Sequence, residues 1–142
     1  MKINLFFSLS IYFFVCFNAY AQSSVIRIEP TLQVYKTIDT TNLKLHIYKP
    51  LDFVSSKVYN CVVFFHGGGW NNGSPRAFRR QSMYFASRGM IAISVEYRLK
   101  KIHGTSPFQA TEDAKSAIRF VRQHAKELHI NPNAIIAGGG SA

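Results

Sequence analysis

The residue of this sequence best suited to chemistry is a serine that follows three glycines. Ser141 stands in the segment GGSA at residues 139–142, directly after a short apolar run at residues 134–137. The segment fits the first four positions of GxSxG, a sharp strand-to-helix turn that exposes a serine hydroxyl for attack on a carbonyl carbon. Small neighbours are needed because the turn strains the serine backbone. A glycine run is also typical of a flexible tail, so the motif requires independent support.

A second motif, far upstream, supplies that support. An apolar run at residues 61–65 leads directly into HGGGW at residues 66–70. Backbone N–H groups of such a loop can donate to the oxygen that becomes negative when a serine attacks an ester. Glycine suits this role because side chains would keep the backbone away from the substrate carbonyl. Two rare motifs in this order, each after a predicted strand, favour acyl-transfer chemistry at Ser141.

With these motifs the sequence resembles α/β-hydrolase esterases and lipases that carry an HGGGW oxyanion loop and a GGSAG-type elbow. That group includes hormone-sensitive-lipase-like esterases and carbohydrate acetylesterases. VEYRL at residues 95–99 and the segment at residues 113–122 match it too, and the resemblance covers roughly residues 43–142. It implies Ser141 as the nucleophile and, as oxyanion-hole donors, Gly67, Gly68 and Ala142. The residues that complete the oxyanion loop would be His66, Gly69 and Trp70.

The resemblance also implies the kind of reaction. We expect a serine carboxylic-ester hydrolase that works through an acyl-enzyme and removes acetyl or other short acyl groups from carbohydrates or small molecules. Short-chain, lipid-like esters are the next choice. Two alternatives stay open at this point: a noncatalytic remnant or binding module, and a peptidase on the same fold.

The partners that such a serine needs do not follow it in the sequence. In this fold the acid and then the histidine come after the serine, whereas only Ala142 follows Ser141 and all five histidines precede it. We therefore expect residues 22–142 to be the N-terminal part of a domain truncated after the elbow, and to be inactive alone. Asp113 lies on a predicted helix before the serine, so it is a poor candidate for the acid.

Structural roles are predicted for the other polar candidates. His66 is expected to shape its loop, and Trp70 to pack beneath it rather than border an acyl pocket. Residues 96–98, at the end of a predicted strand, favour structural hydrogen bonding. His103 lies in a predicted loop and could line a pocket. Solvent-facing positions are expected for the remaining histidines: His46, His124 and His129.

Alternating strands and helices must position these residues. Alternation of apolar and polar residues predicts an antiparallel hairpin at a sheet edge, and continuous apolar runs predict buried central strands. The predicted strands are 32–38, 43–48, 61–65, 90–97 and 134–137. One helix is predicted from Pro75 to Gly89. A second begins at the capping box of residues 106–109 and continues to Leu128.

This order predicts an α/β fold, with a mainly parallel sheet, helices on both faces and an N-terminal antiparallel hairpin. Residues 100–106 are predicted as loop, and residues 131–133 as the end of the long helix. Sites in such sheets lie beyond the carboxyl ends of the strands, where both glycine motifs fall.

The N-terminus has the pattern of a secretory signal peptide. Lys2 precedes an apolar stretch at residues 3–17, and Ala19-Tyr20-Ala21 is a cleavage site of the AxA type. We expect cleavage near Ala21, export to the periplasm or medium, and no stable membrane insertion afterwards. Removing residues 1–21 leaves a single cysteine, Cys61, which we interpret as a buried small hydrophobe.

Composition bounds the other function classes. The net charge of +10 raises the question of nucleic-acid partners, but the positive residues are scattered and lack interleaved aromatic positions, which favours solvated faces. Clusters of His, Cys and carboxylate residues with metal-ligand spacing are absent from the sequence, and the glycine runs lack the phosphate-binding patterns. We therefore predict no metal, no cofactor and no nucleic-acid partner.

Overall fold

The computed structural model describes residues 27–141, in which five strands form one sheet. The strands are β1 (Thr31–Ile38), β2 (Thr41–Tyr48), β3 (Tyr59–Phe65), β4 (Ile91–Val95) and β5 (Ile130–Gly139). The helices are α1 (Arg79–Ser87), α2 (Lys100–His103) and α3 (Pro107–Gln123), and a 3-10 turn (Pro75–Phe78) precedes α1. The predicted signal peptide, residues 1–21, and the predicted donor Ala142 lie outside the described residues and stay predictions. No helix in residues 27–141 has the length and apolarity needed to cross a membrane.

The sheet is mixed, and most of its strands run in one direction. Its order is β1-β2-β4-β3-β5. β2 pairs antiparallel with both β1 and β4, whereas β3 pairs parallel with both β4 and β5. Four strands therefore share a direction and β2 alone opposes them. The predicted mainly parallel sheet with an N-terminal antiparallel hairpin is confirmed.

Helices cover both faces of the sheet, so the central strands bury side chains on each side. In β3, Cys61 and Val63 belong to a core that includes Ala117 and Val121 of α3. Val62 and Phe64 belong to a second core on the opposite face, against α1. Because successive strand residues point to opposite faces, this accounts for the continuous apolar run in β3. Burial also raises the pKa of the Cys61 thiol to about 12, as expected for a structural cysteine.

The N-terminal hairpin is tighter than its sequence predicts. β1 and β2 pair up to Ile38 and Thr41, which leaves only Asp39 and Thr40 in the turn. Asp39 has a φ of 48° there, a left-handed conformation that aspartate tolerates better than most residues. The turn that the sequence places at residues 39–42 therefore spans two residues.

The long helix begins as predicted and ends earlier. Pro107 occupies its first turn, and the backbone N–H of Ser106 donates to Gln109 Oε1 at 2.9 Å as part of a capping box. The helix ends at Gln123, so its predicted continuation to Leu128 is wrong. The chain then passes through turns to His129, whose φ of 59° reverses its direction before β5.

Two further boundaries differ from the predictions. Residues 100–103 form the short helix α2, closed by Gly104 with a φ of 67°, rather than a loop. β5 begins at Ile130, so residues 131–133 belong to it. The register between β3 and β5 shifts there, because Tyr59 pairs with Ile130 whereas Cys61 pairs with Ile135. Pro132 is tolerated in this irregular stretch, since a bulge needs no donor from that residue.

Candidate active site

The loop of residues 66–70 leaves the carboxyl end of β3, which lies between β4 and β5 in the sheet. Gly68 has a φ of 122° and Gly69 a φ of 58°, conformations that glycine adopts without strain. The N–H of Asn71 donates to the Gly68 carbonyl at 3.1 Å, which turns the chain back on itself. A Cβ on Gly68 would overlap the backbone of Asn72. The glycines therefore permit a close turn directly after a buried strand.

His66 is the buried base of this loop. Its side chain is 1% exposed, and its Nδ1 lies 2.8 Å from the carbonyl oxygen of Gly67. Its ring stacks on that of Tyr97, with centroids 4.3 Å apart and planes 17° from parallel. Burial lowers the pKa of His66, more than its hydrogen bond to Gly67 raises it. The side chain thus contacts the loop as a neutral imidazole, and its part in an oxyanion loop stays a prediction.

The irregular segment that follows β4 holds Tyr97 in place and leads to a contact with the loop. On one side of Tyr97, Glu96 Oε1 lies 2.8 Å from His46 Nε2. On the other, Arg98 Nε donates to Asp113 Oδ2 at 2.7 Å. Farther along, the Lys100 N–H donates to the carbonyl oxygen of Trp70 at 2.9 Å. Residues 96–98 therefore have the predicted structural hydrogen bonds.

Ser141 lies at the end of β5, where the strand turns away from the sheet. Its φ is 52°, an unusual conformation for a residue with a side chain, and the residue is exposed. Such strain is typical of a turn that presents a side chain for chemistry. A shallow groove beside Ser141 is lined by Phe65, Ala137 and the three glycines before the serine.

The two glycine motifs are in direct contact. The Gly68 N–H donates to the Ser141 carbonyl oxygen at 3.1 Å. A Cβ on Gly67 would lie 2.5 Å from that same oxygen and would also overlap the carbonyl of Gly140. The loop after β3 and the turn after β5 meet because β3 and β5 are parallel neighbours that end at the same edge of the sheet.

Trp70 has features of both of its predicted alternatives. It packs against the small core formed by Tyr97, Leu99 and Ala110, as a residue beneath the loop would. It also lines an apolar cavity of about 250 Å³ together with Phe65 and Tyr97. Because Phe65 borders both this cavity and the groove at Ser141, the cavity and the groove are neighbours.

The histidines of residues 27–141 have other partners than Ser141. His103 Nδ1 accepts the Leu99 N–H at 2.9 Å, and the side chain lines a cavity of about 240 Å³ that His66 also lines. His124 pairs with Glu127 at 2.8 Å, and His129 packs edge-on against Phe53.

The predicted solvent-facing position of His46 is wrong. Its side chain is only 18% exposed and pairs with Glu96. Burial raises the pKa of Glu96, but hydrogen bonds from His46 and the Lys44 N–H outweigh it and hold that pKa below its ordinary value. His46 and Tyr48 share one face of β2, and both line a pocket bordered by residues 27–30 and by Arg76 and Arg79, so this face of the strand is not open to solvent.

Some contributors to the site were not identified from the sequence. Gly73 has a φ of 123°, and a Cβ there would overlap Gly67 O and His66 Nδ1. The apolar run at residues 61–65 predicts Phe65 as core, although its place at the carboxyl end of a central strand is a signal for a site residue. Nothing local in the sequence indicates that the Tyr97 hydroxyl reaches His66, since that contact joins the segments that follow two different strands, β3 and β4.

This chain is similar in sequence and fold to known proteins. The BD-FAE family profile matches residues 45–142. Esterase Est2 of Thermogutta terrifontis, whose structure is known with propionate bound, is 49% identical with a TM-score of 0.78, over 80% of this chain and 42% of that one. An AB hydrolase superfamily protein of Schizosaccharomyces pombe is 29% identical over 85% of this chain and 36% of its own length. Carboxylesterase NlhH of Mycobacterium tuberculosis is 36% identical over 57% of this chain and 25% of its own length. The chain thus spans less than half the length of each of these relatives.

Proposed function

The chain belongs to the BD-FAE family and has an α/β-hydrolase fold, and from this premise we propose that it carries the nucleophile and the oxyanion loop of a serine ester hydrolase. Ser141 Oγ attacks the ester carbonyl carbon, the alcohol leaves with a proton, and water then releases the acid from the acyl-enzyme. Relatives described as esterase and carboxylesterase support the ester as the bond that is cleaved.

The observation that carries this proposal is the contact between the two glycine motifs. An amide hydrogen of the loop, on Gly68, already points at the residue that bears the hydroxyl. We assign Gly67, Gly68 and Ala142 as the donors to the oxyanion. When substrate binds, the Gly68 N–H would donate to the substrate oxygen in place of the Ser141 carbonyl oxygen. A single donor of this kind typically contributes about 10²- to 10³-fold to kcat.

The proton of Ser141 requires a base, which we place outside residues 27–141. Within those residues each histidine side chain is engaged by a backbone group, a carboxylate or an aromatic ring rather than by Ser141. Asp113 is fully buried and bound by Arg98 and Lys36, so it is not available as the acid. We accordingly propose that residues 22–142 alone do not hydrolyse esters.

The proposed substrates are short acyl esters. The groove at Ser141 and the adjoining apolar cavity of about 250 Å³ offer room for a small acyl chain. The Thermogutta esterase, which is 49% identical, is known with propionate bound. A bound three-carbon acid supports a short acyl chain as the substrate group. Carbohydrate acetyl esters are the preferred natural class, on the resemblance of the motifs alone.

Activity of the protein expressed from its complete gene tests the proposal. We expect hydrolysis of p-nitrophenyl acetate and acetylated xylan, a slower reaction with a peptide amide, and loss of at least about 10³-fold in kcat for Ser141→Ala. Ser87→Ala, an exposed serine at the end of α1, is the matched control and should leave kcat unchanged. Preference for the amide would favour a peptidase, and binding without turnover would favour a noncatalytic module.

Covalent labelling tests the role of Ser141 independently of substrate choice. The Thermogutta esterase is known in a form phosphorylated by paraoxon. We expect paraoxon to phosphorylate the complete gene product once, on the peptide that contains Ser141. A phosphoryl group on another residue, or labelling that persists in Ser141→Ala, would contradict the assignment.

A further inference from the structure

We propose that Tyr97 is a positioning residue, whose hydroxyl holds the loop of residues 66–69 in the conformation that faces Ser141. The structure shows the hydroxyl of Tyr97 donating to the His66 carbonyl, with its oxygen also 3.2 Å from His66 Nδ1. Tyr97 is 5% exposed, so water does not compete freely for this hydroxyl. The inference rests on the proposed function for its catalytic consequence, but not for the hydrogen bonds themselves.

The positions of the protons in this network follow from the acceptors. The Gly67 carbonyl can only accept, so His66 Nδ1, 2.8 Å away, must carry the hydrogen. The Tyr97 hydroxyl uses its single hydrogen on the His66 carbonyl, and its oxygen is then free to accept a share of the Nδ1 hydrogen. Two successive loop carbonyls, those of His66 and Gly67, are thereby satisfied by two side chains.

Other parts of the protein enclose this hydrogen-bond network and limit its movement. The Tyr97 ring stacks on the imidazole at 4.3 Å, and the backbone of Gly73 leaves no room for a side chain against Gly67 O and His66 Nδ1. Burial lowers the pKa of His66 and raises that of Tyr97, so both groups stay neutral near pH 7. The hydroxyl therefore acts on a single, fixed tautomer.

Tyr97 is itself held from both neighbouring positions. Glu96 accepts the Lys44 N–H at 3.1 Å and pairs with His46, which fixes the backbone to β2. Arg98 binds Asp113 through Nε and Nη2, at 2.7 and 2.9 Å, which fixes it to α3. A hydroxyl mounted between two such anchors can define the position of a glycine-rich loop that has few side chains of its own.

The variant Tyr97→Phe separates the hydroxyl from the ring. It keeps the stacking on His66 and removes only the donor to the His66 carbonyl. In the chain itself, we expect amide hydrogen exchange at residues 67–69 to become about tenfold faster or more, with exchange at Ile93 of β4 unchanged. Tyr84→Phe, at an exposed tyrosine of α1, should change neither. Unchanged exchange in the loop would overturn the proposal, as would an equal increase at Ile93, since that would show global destabilisation.

Kinetics of the complete gene product give the catalytic readout. Because oxyanion donors act mainly in the transition state, Tyr97→Phe should lower kcat about 10- to 100-fold and change KM less than about threefold. If kcat and KM both stay unchanged and the loop exchange is also unchanged, the positioning role is rejected. Absence of esterase activity in the wild type would instead reject the proposed function, and the exchange experiment would still decide whether Tyr97 holds the loop.

Discussion

Gly67 lies where the oxyanion loop and the serine turn leave no room for a side chain. It has no positive φ, so its own backbone conformation would accept a side chain. The surrounding space would not accept one, because a Cβ on Gly67 would overlap the carbonyl oxygens of Gly140 and Ser141. The glycine is therefore required by the neighbouring turn rather than by the loop's own geometry.

Gly67→Ala should push the loop away from Ser141. We expect a loss of 1 to 3 kcal/mol, roughly, in the free energy of unfolding and a fall of about 10²-fold in kcat of the complete gene product. Urea unfolding and steady-state kinetics measure the two effects. Gly89→Ala is the control. Its φ of 78° should cost about 1 kcal/mol, but no atom within 4 Å would meet the new Cβ, so activity should persist. Wild-type kcat in Gly67→Ala would contradict the packing argument.

Asp113 shows how one side chain can join three elements. It is carried by α3, and its Oδ1 accepts from Lys36 Nζ of β1 at 2.6 Å. Both of its oxygens accept from Arg98, which follows β4. Burial raises the pKa of Asp113, but the hydrogen bonds from Arg98 and Lys36 outweigh it and hold that pKa below its ordinary value. The buried carboxylate thus forms ion pairs that link α3 to the edge strand β1 and to the segment after the central strand β4.

Asp113→Asn should lower the free energy of unfolding, because it leaves the cations of Lys36 and Arg98 without their anionic partner. Loss of one partner of a buried pair typically costs about 3 to 5 kcal/mol, and the lower end is expected because Lys36 is 24% exposed and Arg98 14%. Urea unfolding at pH 7 gives the measurement. Glu112→Gln is the control, since that side chain is 68% exposed and lies 3.8 Å from Arg98. It should change the stability by less than about 1 kcal/mol.

The pH dependence of the same pair has a definite sign. A carboxyl whose pKa is depressed on folding stabilises the protein above its unfolded pKa, about 4, and loses that contribution as the pH falls through its lower folded value. The wild type should therefore lose stability below about pH 4, and Asp113→Asn should lack that part of the slope. Parallel pH profiles for the two proteins would show that Asp113 is not responsible.

At the scale of elements, sequence predicts best where the signal is local. β3 and β4 are predictable because both faces of each are buried, which leaves a continuous apolar run in β3 and a run broken only by Ser94 in β4. The end of α3, in contrast, is not predictable from the sequence. Ala125 is buried and Leu128 packs on the core beyond the last helical residue, so the helical spacing continues without the helix. The left-handed residue that reverses the chain is His129, where glycine would have been the recognisable signal.

The candidate site divides in the same way. Its two glycine loops were predictable because each lies in a few consecutive residues after a strand. The pair His46–Glu96 and the contact of Tyr97 with His66 were not, since each joins residues that are distant in sequence and depends on strand register. Periodicity gives the face on which a residue lies, but the partner across the sheet is set by the pairing of β2, β3 and β4.

At the scale of the molecule, β5 has an uncovered side. It pairs with β3, and no other strand within residues 27–141 pairs with its outer edge. Ile136, in the middle of the strand, is 58% exposed. Unpaired N–H and C=O groups beside an apolar residue form a template for another strand. The net charge of residues 22–142, which is +9 once Lys2 is removed from the +10 of the full sequence, acts against such pairing because like-charged copies repel each other.

These opposing terms predict salt-dependent self-association of purified residues 22–142. Sedimentation and light scattering should show association that increases with concentration and with added salt, because salt screens the repulsion and leaves the edge intact. Ile136→Lys should reduce it by placing a charge on β5. Leu51→Lys adds the same charge at an apolar residue that is 62% exposed but lies outside the strands, so it should reduce association less. If both variants act equally, net charge rather than the edge of β5 controls association, and a monomer at every salt concentration would show that the edge is not available for pairing.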